Sequence, residues 1–408
     1  MKVLVLNCGS SSVKFQLIET SLEAIQKSTD ETLAKGLIEK IGMTTSVVHF
    51  EAKGKPPLKE TPTILEHKVA ISKVIKLLTD PEHGVLKDEK EISAVGHRMV
   101  HGGEKFATSK IITPEVYDEL VACIELAPLH NPHNIKGYQV AKALLPAIPH
   151  AAVFDTSFHQ TMPKHAYMYG LPYVLYQRHA IRRYGFHGTS HRYLTYRLER
   201  ILKRPREELK LITCHLGNGC SIDAIRYGQS IDTTMGFTPL EGLVMGTRSG
   251  DIDPAIILHV MAKEELGLHE ANTLLNKHSG LMGISGISND MRELIKESEK
   301  GNERAALAID VFCYRVKKYI CAYAGALGGV DAIGFTAGIG ENSTLVREKS
   351  CGGLEFMGIE LDPERNRTIN GKEGIISTDQ SPIKVYVIPT NEELIIARDT
   401  VRCIEGVI

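Results

Sequence analysis

Apolar and polar positions along the chain change period several times, and the first strand signal comes at the start. Val3-Leu4-Val5-Leu6 is a short apolar run that stops at Asn7-Cys8-Gly9-Ser10-Ser11-Ser12. It resumes as Val13-Lys14-Phe15-Gln16-Leu17-Ile18, with alternation that predicts a half-buried strand. The segment therefore reads as two strands joined by a turn of small polar residues. Further strands are expected over 37–41 and 47–50, followed by a Lys/Pro/Gly loop over 53–59. Helical spacing then appears over 65–78, 114–124 and 134–145, and the charged stretch 80–91 reads as a solvated loop.

Near residue 150 the pattern restarts. Ala151-Ala152-Val153-Phe154 predicts a buried strand ending at Asp155, and a helix is expected over 190–202. Leu211-Ile212-Thr213-Cys214-His215-Leu216 then runs into Gly217-Asn218-Gly219 and a second strand over 220–225. Strand, small-residue turn, strand is the N-terminal arrangement repeated, and it argues for a duplicated α/β unit. A long helix over 303–327 precedes a third strand–glycine segment, 332–342, and the last strand is expected over 385–388. Thr390 with Glu393 matches a capping box that opens a terminal helix. Strands interleaved with helices predict an α/β protein with two lobes and a cleft between them.

Composition narrows the function classes. Among 408 residues, 48 Lys+Arg face 49 Asp+Glu, a net charge of −1, which removes the basic excess a nucleic acid or an anionic membrane surface would need. No apolar run approaches the ~18–20 residues of a membrane span. Met1–Leu6 passes straight into polar residues, so no signal peptide is expected. The eight cysteines are scattered singly without a C-x-x-C pair, which predicts reduced, mostly buried thiols and a cytoplasmic location.

The candidate chemistry is anion binding. Three strand ends open into small, glycine-rich turns, at 7–12, 217–219 and 338–340, where missing Cβ atoms let backbone N–H groups approach a phosphate. Neither G-x-x-x-x-G-K-[ST] nor G-x-G-x-x-G occurs, which leaves hairpins pinching a nucleotide's phosphates. Lys14 fits a phosphate contact and an exposed strand lysine equally well. Arg98 follows the apolar run 92–95, and Arg248 stands in Gly246-Thr247-Arg248-Ser249-Gly250. A guanidinium between glycines has little local packing reason to be there and suits a carboxylate or phosphate. His97/His101 and His187/His191 have the i,i+4 spacing of zinc ligands, but H-E-x-x-H is absent and Gly188 places His187 ahead of a helix. Imidazoles contacting a phosphoryl group, or packed structural histidines, fit better. Asp155 at a strand end and Glu392 in the first helical turn are the acidic candidates, able to serve a Mg²⁺ ion shared with nucleotide oxygens; Glu392 equally suits the helix dipole.

Taken in order, these segments resemble the acetokinase (acetate kinase) family of the acetate/sugar kinase, Hsp70 and actin superfamily, essentially end to end. The resemblance is carried by Asn7-Cys8-Gly9-Ser10-Ser11-Ser12, Gly96-His97-Arg98, Pro128-Leu129-His130-Asn131-Pro132, Phe154-Asp155-Thr156, Gly185-Phe186-His187-Gly188-Thr189-Ser190-His191, His215-Leu216-Gly217-Asn218-Gly219, Gly236-Phe237-Thr238-Pro239-Leu240-Glu241-Gly242, Gly246-Thr247-Arg248, Gly338-Ile339-Gly340-Glu341-Asn342 and Thr390-Asn391-Glu392. Cys8 stands where many relatives carry Ala. The resemblance implies a duplicated actin-like (ribonuclease H-like) fold, with one lobe over 1–154 plus 393–408 and a second over 155–392 that holds the nucleotide and a homodimer interface. It implies reversible in-line transfer of the ATP γ-phosphoryl group to acetate, giving acetyl phosphate and ADP, with Mg²⁺ or Mn²⁺. Asn7 and Glu392 would help hold the metal, and Lys14 would lie near the phosphates. His215, Leu216, Gly217, Asn218 and Gly219 would form the phosphate hairpin. Asp290, Met291 and Arg292 with Gly338, Ile339, Gly340, Glu341 and Asn342 would surround the rest of the nucleotide. Arg98 and Arg248 would hold the carboxylate and the transferring phosphoryl, with His187 beside it and Asp155 orienting Arg248 or a metal-bound water. Val100, Leu129, His130, Phe186 and Pro239 would contact the acyl substrate. A propionate kinase carries nearly the same motifs. A non-catalytic actin- or Hsp70-like nucleotide-binding protein would not need both arginines and an apolar pocket.

Overall fold

The computed structural model describes all residues except Leu129, so the acyl contact expected there lies outside the described residues. The chain divides into two compact units, Met1–Phe158 with Asn391–Ile408, and His159–Thr390. Asp155 and Glu392 thus both belong to the first unit.

The first unit is built on β1 (Lys2–Cys8), β2 (Ser12–Glu19), β3 (Glu31–Glu39), β4 (Val47–Ala52), β5 (Leu58–Glu60), β6 (Ala94–Met99), β7 (Lys110–Ile111) and β8 (His150–Phe154). They form one sheet in the order β5-β4-β3-β2-β1-β6-β8-β7. β1 pairs antiparallel with β2, placing Asn7 opposite Lys14, and parallel with β6, which pairs parallel with β8. The alternation in β2 sends Val13, Phe15 and Leu17 into a core shared with Leu4 and Leu6, with Phe15 stacked on Phe50. On the other face Val3, Val5, Ile18 and Val153 pack against Ile396, Ala397 and Val401 of the terminal helix Glu392–Ile404. Each such fully buried aliphatic side chain is worth roughly 1.5–3 kcal/mol. Gly96 permits this packing, because a Cβ there would stand 2.4 Å from Thr400 Oγ1 and 2.8 Å from Ile396 Cγ2.

The second unit contains β9 (Lys210–Leu216), β10 (Cys220–Arg226), β11 (Gln229–Thr233), β12 (Ala332–Thr336), β13 (Gly374–Ile375) and β14 (Lys384–Val387), in the order β11-β10-β9-β12-β14-β13. β9 and β10 are antiparallel, while β9/β12 and β12/β14 are parallel. Its longest helix, Glu303–Leu327, starts where Asn302 accepts the Ala305 N–H at 3.0 Å and stops at Gly328 with φ +64°. Ile309, Phe312, Val316 and Ile320 form its buried stripe. With flanking strands set aside, β3-β2-β1-β6-β8 and β11-β10-β9-β12-β14 share one order and one set of directions. This is the duplicated α/β unit that the repeated strand–turn–strand pattern predicts, and the actin-like fold that the resemblance implies.

Three local expectations need correction. Arg98 lies within β6 rather than after a strand, because the parallel pairing with β8 continues through Met99↔Phe154. Gly338, Ile339 and Gly340 belong to a short helix, Ala337–Asn342, rather than a turn. The terminal helix is capped by Asn391, whose side chain accepts the Leu394 N–H at 3.1 Å, and not by a Thr390–Glu393 box. Thr390 is engaged elsewhere: its N–H donates to Glu341 Oε1 at 3.1 Å and its hydroxyl meets Ser190 Oγ. Among the described residues no helix is long and apolar enough to cross a membrane. All eight cysteines are free thiols and six of them are buried; loss of solvent raises Cys8 to about 12.

Candidate active site

In the first unit the reactive groups gather at the ends of β1, β6 and β8. Parallel pairing brings Arg98 beside Val153, and the chain leaving β8 delivers Asp155. The buried Asp155 carboxylate accepts from Arg98 Nε at 3.0 Å and from Nη2 at 2.5 Å, a bidentate pair. Asp155 is therefore paired with Arg98 and not with Arg248, the first of the two partners expected for it, the other being a metal-bound water. Arg98 Nη1 donates to Asn7 Oδ1 at 3.2 Å, so one guanidinium ties two strands and the β8 end together. Burial would lower the arginine's pKa, but Asp155 with Glu392 and Glu393 raises it on balance.

Two acids begin the terminal helix. Glu393 is buried and forms an ion pair with Lys14 at 2.8 Å, which leaves the half-exposed lysine already partnered. Glu392 is half-buried, and among the described residues nothing hydrogen-bonds or ion-pairs with its carboxylate. Loss of solvent, reinforced by Asp155 and Glu393 and opposed by Arg98 and Lys14, pushes it up to about 7. Val100 is buried and its N–H donates to Asn134 Oδ1 at 3.0 Å. His130 stands at the N-cap of the helix Asn131–Leu144.

In the second unit the β9–β10 hairpin turns through Gly217, Asn218 and Gly219, closed by Gly217 N–H donating to Gly219 O at 3.1 Å. The loop that carries Arg248 presses on its tip. The Gly246 N–H donates to Asn218 O at 2.9 Å, and a Cβ on Gly246 would fall 2.0 Å from Asn218 Oδ1. Any side chain there would have to displace that of Asn218. On one side of the tip Arg248 Nη1 and His187 Nε2 lie 3.4 and 3.6 Å from the point where a Gly219 Cβ would stand. Arg248 is half-buried, and its hydrogen bonds are confined to Nη1, which reaches Pro239 O at 3.1 Å and Met245 Sδ at 3.6 Å. No carboxylate among the described residues forms an ion pair with it, and burial lowers its pKa. His187 caps the helix Gly188–Leu202 with φ +58°, stacks on His215 at 4.1 Å and meets Ser221 Oγ through Nδ1 at 2.9 Å. Phe186, beside it, is buried.

On the other side of the tip a cavity of about 910 Å³ opens. Gly217, Asn218, Asp290, Met291, Arg292, Gly338, Ile339 and Asn342 line it, together with Asn289, Ile295, Glu299, Ser343, Thr344 and Leu345. His215, Leu216, Gly219, Gly340 and Glu341 support this wall without lining it. Glu341 Oε1 accepts from Ala337 N–H at 2.7 Å and from Thr336 Oγ1 at 3.1 Å, holding Ala337 at φ +63°. Asp290 caps the helix Met291–Glu299 and pairs with Arg292 at 2.6 Å.

Sequence reasoning missed several supporting residues. Arg347 is wholly buried and spends its guanidinium on Gly340 O, Glu341 O, Asn366 O, Asn366 Oδ1 and Ile369 O, fixing the helix under the cavity. A lone arginine in a short polar helix gave no signal of this. Thr213 and Ser221 did leave one: polar residues at inward positions of otherwise apolar strands.

A glycine hairpin shared by a large cavity and a guanidinium with no ion-pair partner among the described residues, on a twice-used actin-like sheet, fits one class: the phosphotransferases of the actin-like fold. The chain belongs to the acetokinase family, whose model matches residues 2–398. It is 55% identical over 408 residues, the full length of both chains, to the acetate kinase of Caldanaerobacter subterraneus subsp. tengcongensis. It superposes on the crystal structure of Porphyromonas gingivalis acetate kinase with a TM-score of 0.92 at 47% identity, covering 99% of each chain. A propionate kinase from Francisella tularensis matches with a TM-score of 0.89 at 42% identity, covering 98% of each.

Proposed function

We propose that the chain transfers the γ-phosphoryl group of ATP to acetate, reversibly giving acetyl phosphate and ADP. The observation that carries this reading is Arg248: a half-buried guanidinium without a carboxylate partner, beside His187 and the glycine hairpin. Leaving a buried cation unpaired is costly unless an anion arrives to meet it. The roles follow residue by residue. Gly217, Asn218 and Gly219 hold phosphates, and the 910 Å³ cavity takes the remainder of the nucleotide. Arg248 and His187 face the transferring phosphoryl group. Arg98, aimed by Asp155, holds an anionic oxygen. Val100, Phe186 and Pro239 are the acyl contacts, with acetate favoured over propionate in a graded way, since one methylene is worth only ~1–3 kcal/mol.

Phosphoryl transfer through a loose transition state asks for positioning and charge stabilisation. A short carboxylic acid with a pKa near ~4 is already ionised at neutral pH, so the nucleophile needs no general base. Asp155 accordingly orients rather than carries a proton. Asn7 Oδ1 and the unpartnered Glu392 carboxylate make an oxygen-only donor set that suits Mg²⁺ or Mn²⁺, and a cation there would relieve the strain of ionising Glu392. When bound, the metal would neutralise charge on the nucleotide's phosphates. The thiols and the net charge fit a cytoplasmic enzyme. The helix Pro254–Lys263 supports a homodimer, because it presents Ile256 and Leu258 to solvent and buries none of its residues.

ADP release measured with ATP and acetate tests the reading. Release should depend on acetate and stop on chelation, and Glu392→Gln should raise the Mg²⁺ requirement tenfold or more, since losing even an outer-shell partner of a metal costs roughly 10–100-fold. ADP release that ignores acetate would identify an ATPase instead.

A further inference from the structure

Behind His187 lies a buried chain of polar groups for which the proposed reaction has no direct use. Thr213 Oγ1 is 2.7 Å from His191 Nδ1, His191 Nε2 is 2.7 Å from Ser221 Oγ, and Ser221 Oγ is 2.9 Å from His187 Nδ1. Thr213, His191 and Ser221 are all fully buried. Proton accounting along this chain has two solutions with neutral rings. In the first, Thr213 donates to His191 Nδ1, His191 Nε2–H donates to Ser221, and Ser221 donates to His187 Nδ1. In the second every bond reverses, and the Thr213 hydroxyl proton is left without an acceptor among the described residues. A buried hydroxyl proton with no partner carries its full desolvation cost, so the first arrangement prevails.

We infer that Thr213, His191 and Ser221 form a relay that holds His187 as the neutral tautomer protonated at Nε2, presenting a hydrogen-bond donor to an anion. The inference rests on the proposed contact between His187 and the phosphoryl group; the tautomer itself rests on the hydrogen bonds alone. Charging His187 would put a proton on Nδ1, and Ser221 would then face N–H groups from both imidazoles with no acceptor for its own proton. The other groups facing His187 also disfavour a charge there: His215 stacked from β9, His191 across Ser221, and the Arg248 guanidinium at the hairpin tip. Burial holds His191 well below the ordinary histidine range, consistent with its neutral place in the relay. A neutral Nε2–H beside Arg248 adds a directed donor without adding like-charge repulsion. Ser221, His191 and Thr213 are positioning residues in this scheme.

The test is ¹⁵N NMR of the full chain labelled at histidine, with His187 assigned by comparison with His187→Gln. The relay predicts Nε2–H shifts for His187 at about neutral pH, unchanged about a unit lower. Ser221→Ala should mix the two tautomers. It should lower kcat roughly tenfold, less than the ~10²–10³ for outright loss of a transition-state donor because the Nε2–H tautomer stays partly populated, with KM values for ATP and acetate within about twofold. Ser221→Thr, which restores the hydroxyl, should restore the tautomer and most of kcat. If Ser221→Ala does not fold, Thr213→Val supplies the same tautomer readout at a site farther from His187. An Nδ1–H or charged His187 in the native protein, or tautomers unmoved by both variants, overturns the relay. Tautomers that shift while kcat stays at the native value leave the hydrogen-bond chain standing and remove His187 from the phosphoryl contact.

Discussion

At the scale of single residues, the chemistry depends on which charges are paired. Arg98 is held from both sides, by the Asp155 carboxylate and by Asn7 Oδ1, whereas among the described residues Arg248 reaches only a carbonyl and a thioether. A paired guanidinium is a fixed piece of geometry, and an unpaired one is an anion site in waiting. Asp155→Asn removes the charge that aims Arg98 but keeps its size. We expect kcat/KM for acetate to fall by roughly a hundredfold, about 2.7 kcal/mol of transition-state binding, with an unchanged shape of the pH profile. Steady-state kinetics across pH checks this: a lost rate that recovers steeply as pH rises would mean that Asp155 carries a proton after all.

At the scale of elements, placement comes from strand ends and from glycines that let elements touch. Gly246 brings the Arg248 loop against the β9–β10 hairpin. Gly246→Ala should push Asn218 aside and raise the KM for ATP roughly tenfold while costing about 1–3 kcal/mol of stability, the range for overpacking. Equilibrium unfolding and ATP titration read the two effects separately, and an unchanged KM would detach the hairpin tip from the nucleotide. The parallel pair β6/β8 carries a different liability. His97 Nε2 and His150 Nδ1 share a buried hydrogen bond of 2.9 Å, with Tyr138 edge-on to both rings and Leu145 O on His150 Nε2. Burial depresses both, His150 to about 4. The unfolded chain therefore binds protons here that the folded chain refuses, and stability is lost as pH falls from about 6.5 toward 4, by up to about 3 kcal/mol for His150. His150→Gln should flatten that slope in urea unfolding at neutral and acid pH; an equal slope in the variant would place the acid sensitivity elsewhere. These elements also mark how far the sequence is legible. The alternation of β2, the apolar run of β9 and the long stripe of Glu303–Leu327 are read correctly because each element's own burial pattern sets its period. The helix Ala337–Asn342 is misread as a turn because its glycines hide a start held by the Glu341 carboxylate and an end held by Arg347, contacts the local pattern does not contain. The motif residues are visible as small residues and lone cations. Their partners, Asp155 for Arg98 and Glu393 for Lys14, are 57 and 379 residues away and appear only when the sheet and terminal helix are assembled.

At the scale of the whole molecule, one sheet plan is used twice and each unit carries its own cluster of groups: a paired arginine with acids in Met1–Phe158 and Asn391–Ile408, and a glycine hairpin with a large cavity in His159–Thr390. The exposed helix Pro254–Lys263 belongs to the second unit, and Leu258 on it is 71% exposed. Leu258→Glu should therefore cost little in folding and convert a sedimenting dimer to a monomer, whereas a native protein already monomeric in analytical ultracentrifugation would remove this surface from the account. The central claim is the identity of the acceptor. Its most direct test is hydroxylamine trapping of acyl phosphate from ATP with acetate, propionate and butyrate side by side. The account predicts hydroxamate from acetate in the largest yield per unit time, less from propionate and little from butyrate. ADP formed with no hydroxamate from any of the three acids, or propionate turned over faster than acetate, would contradict it.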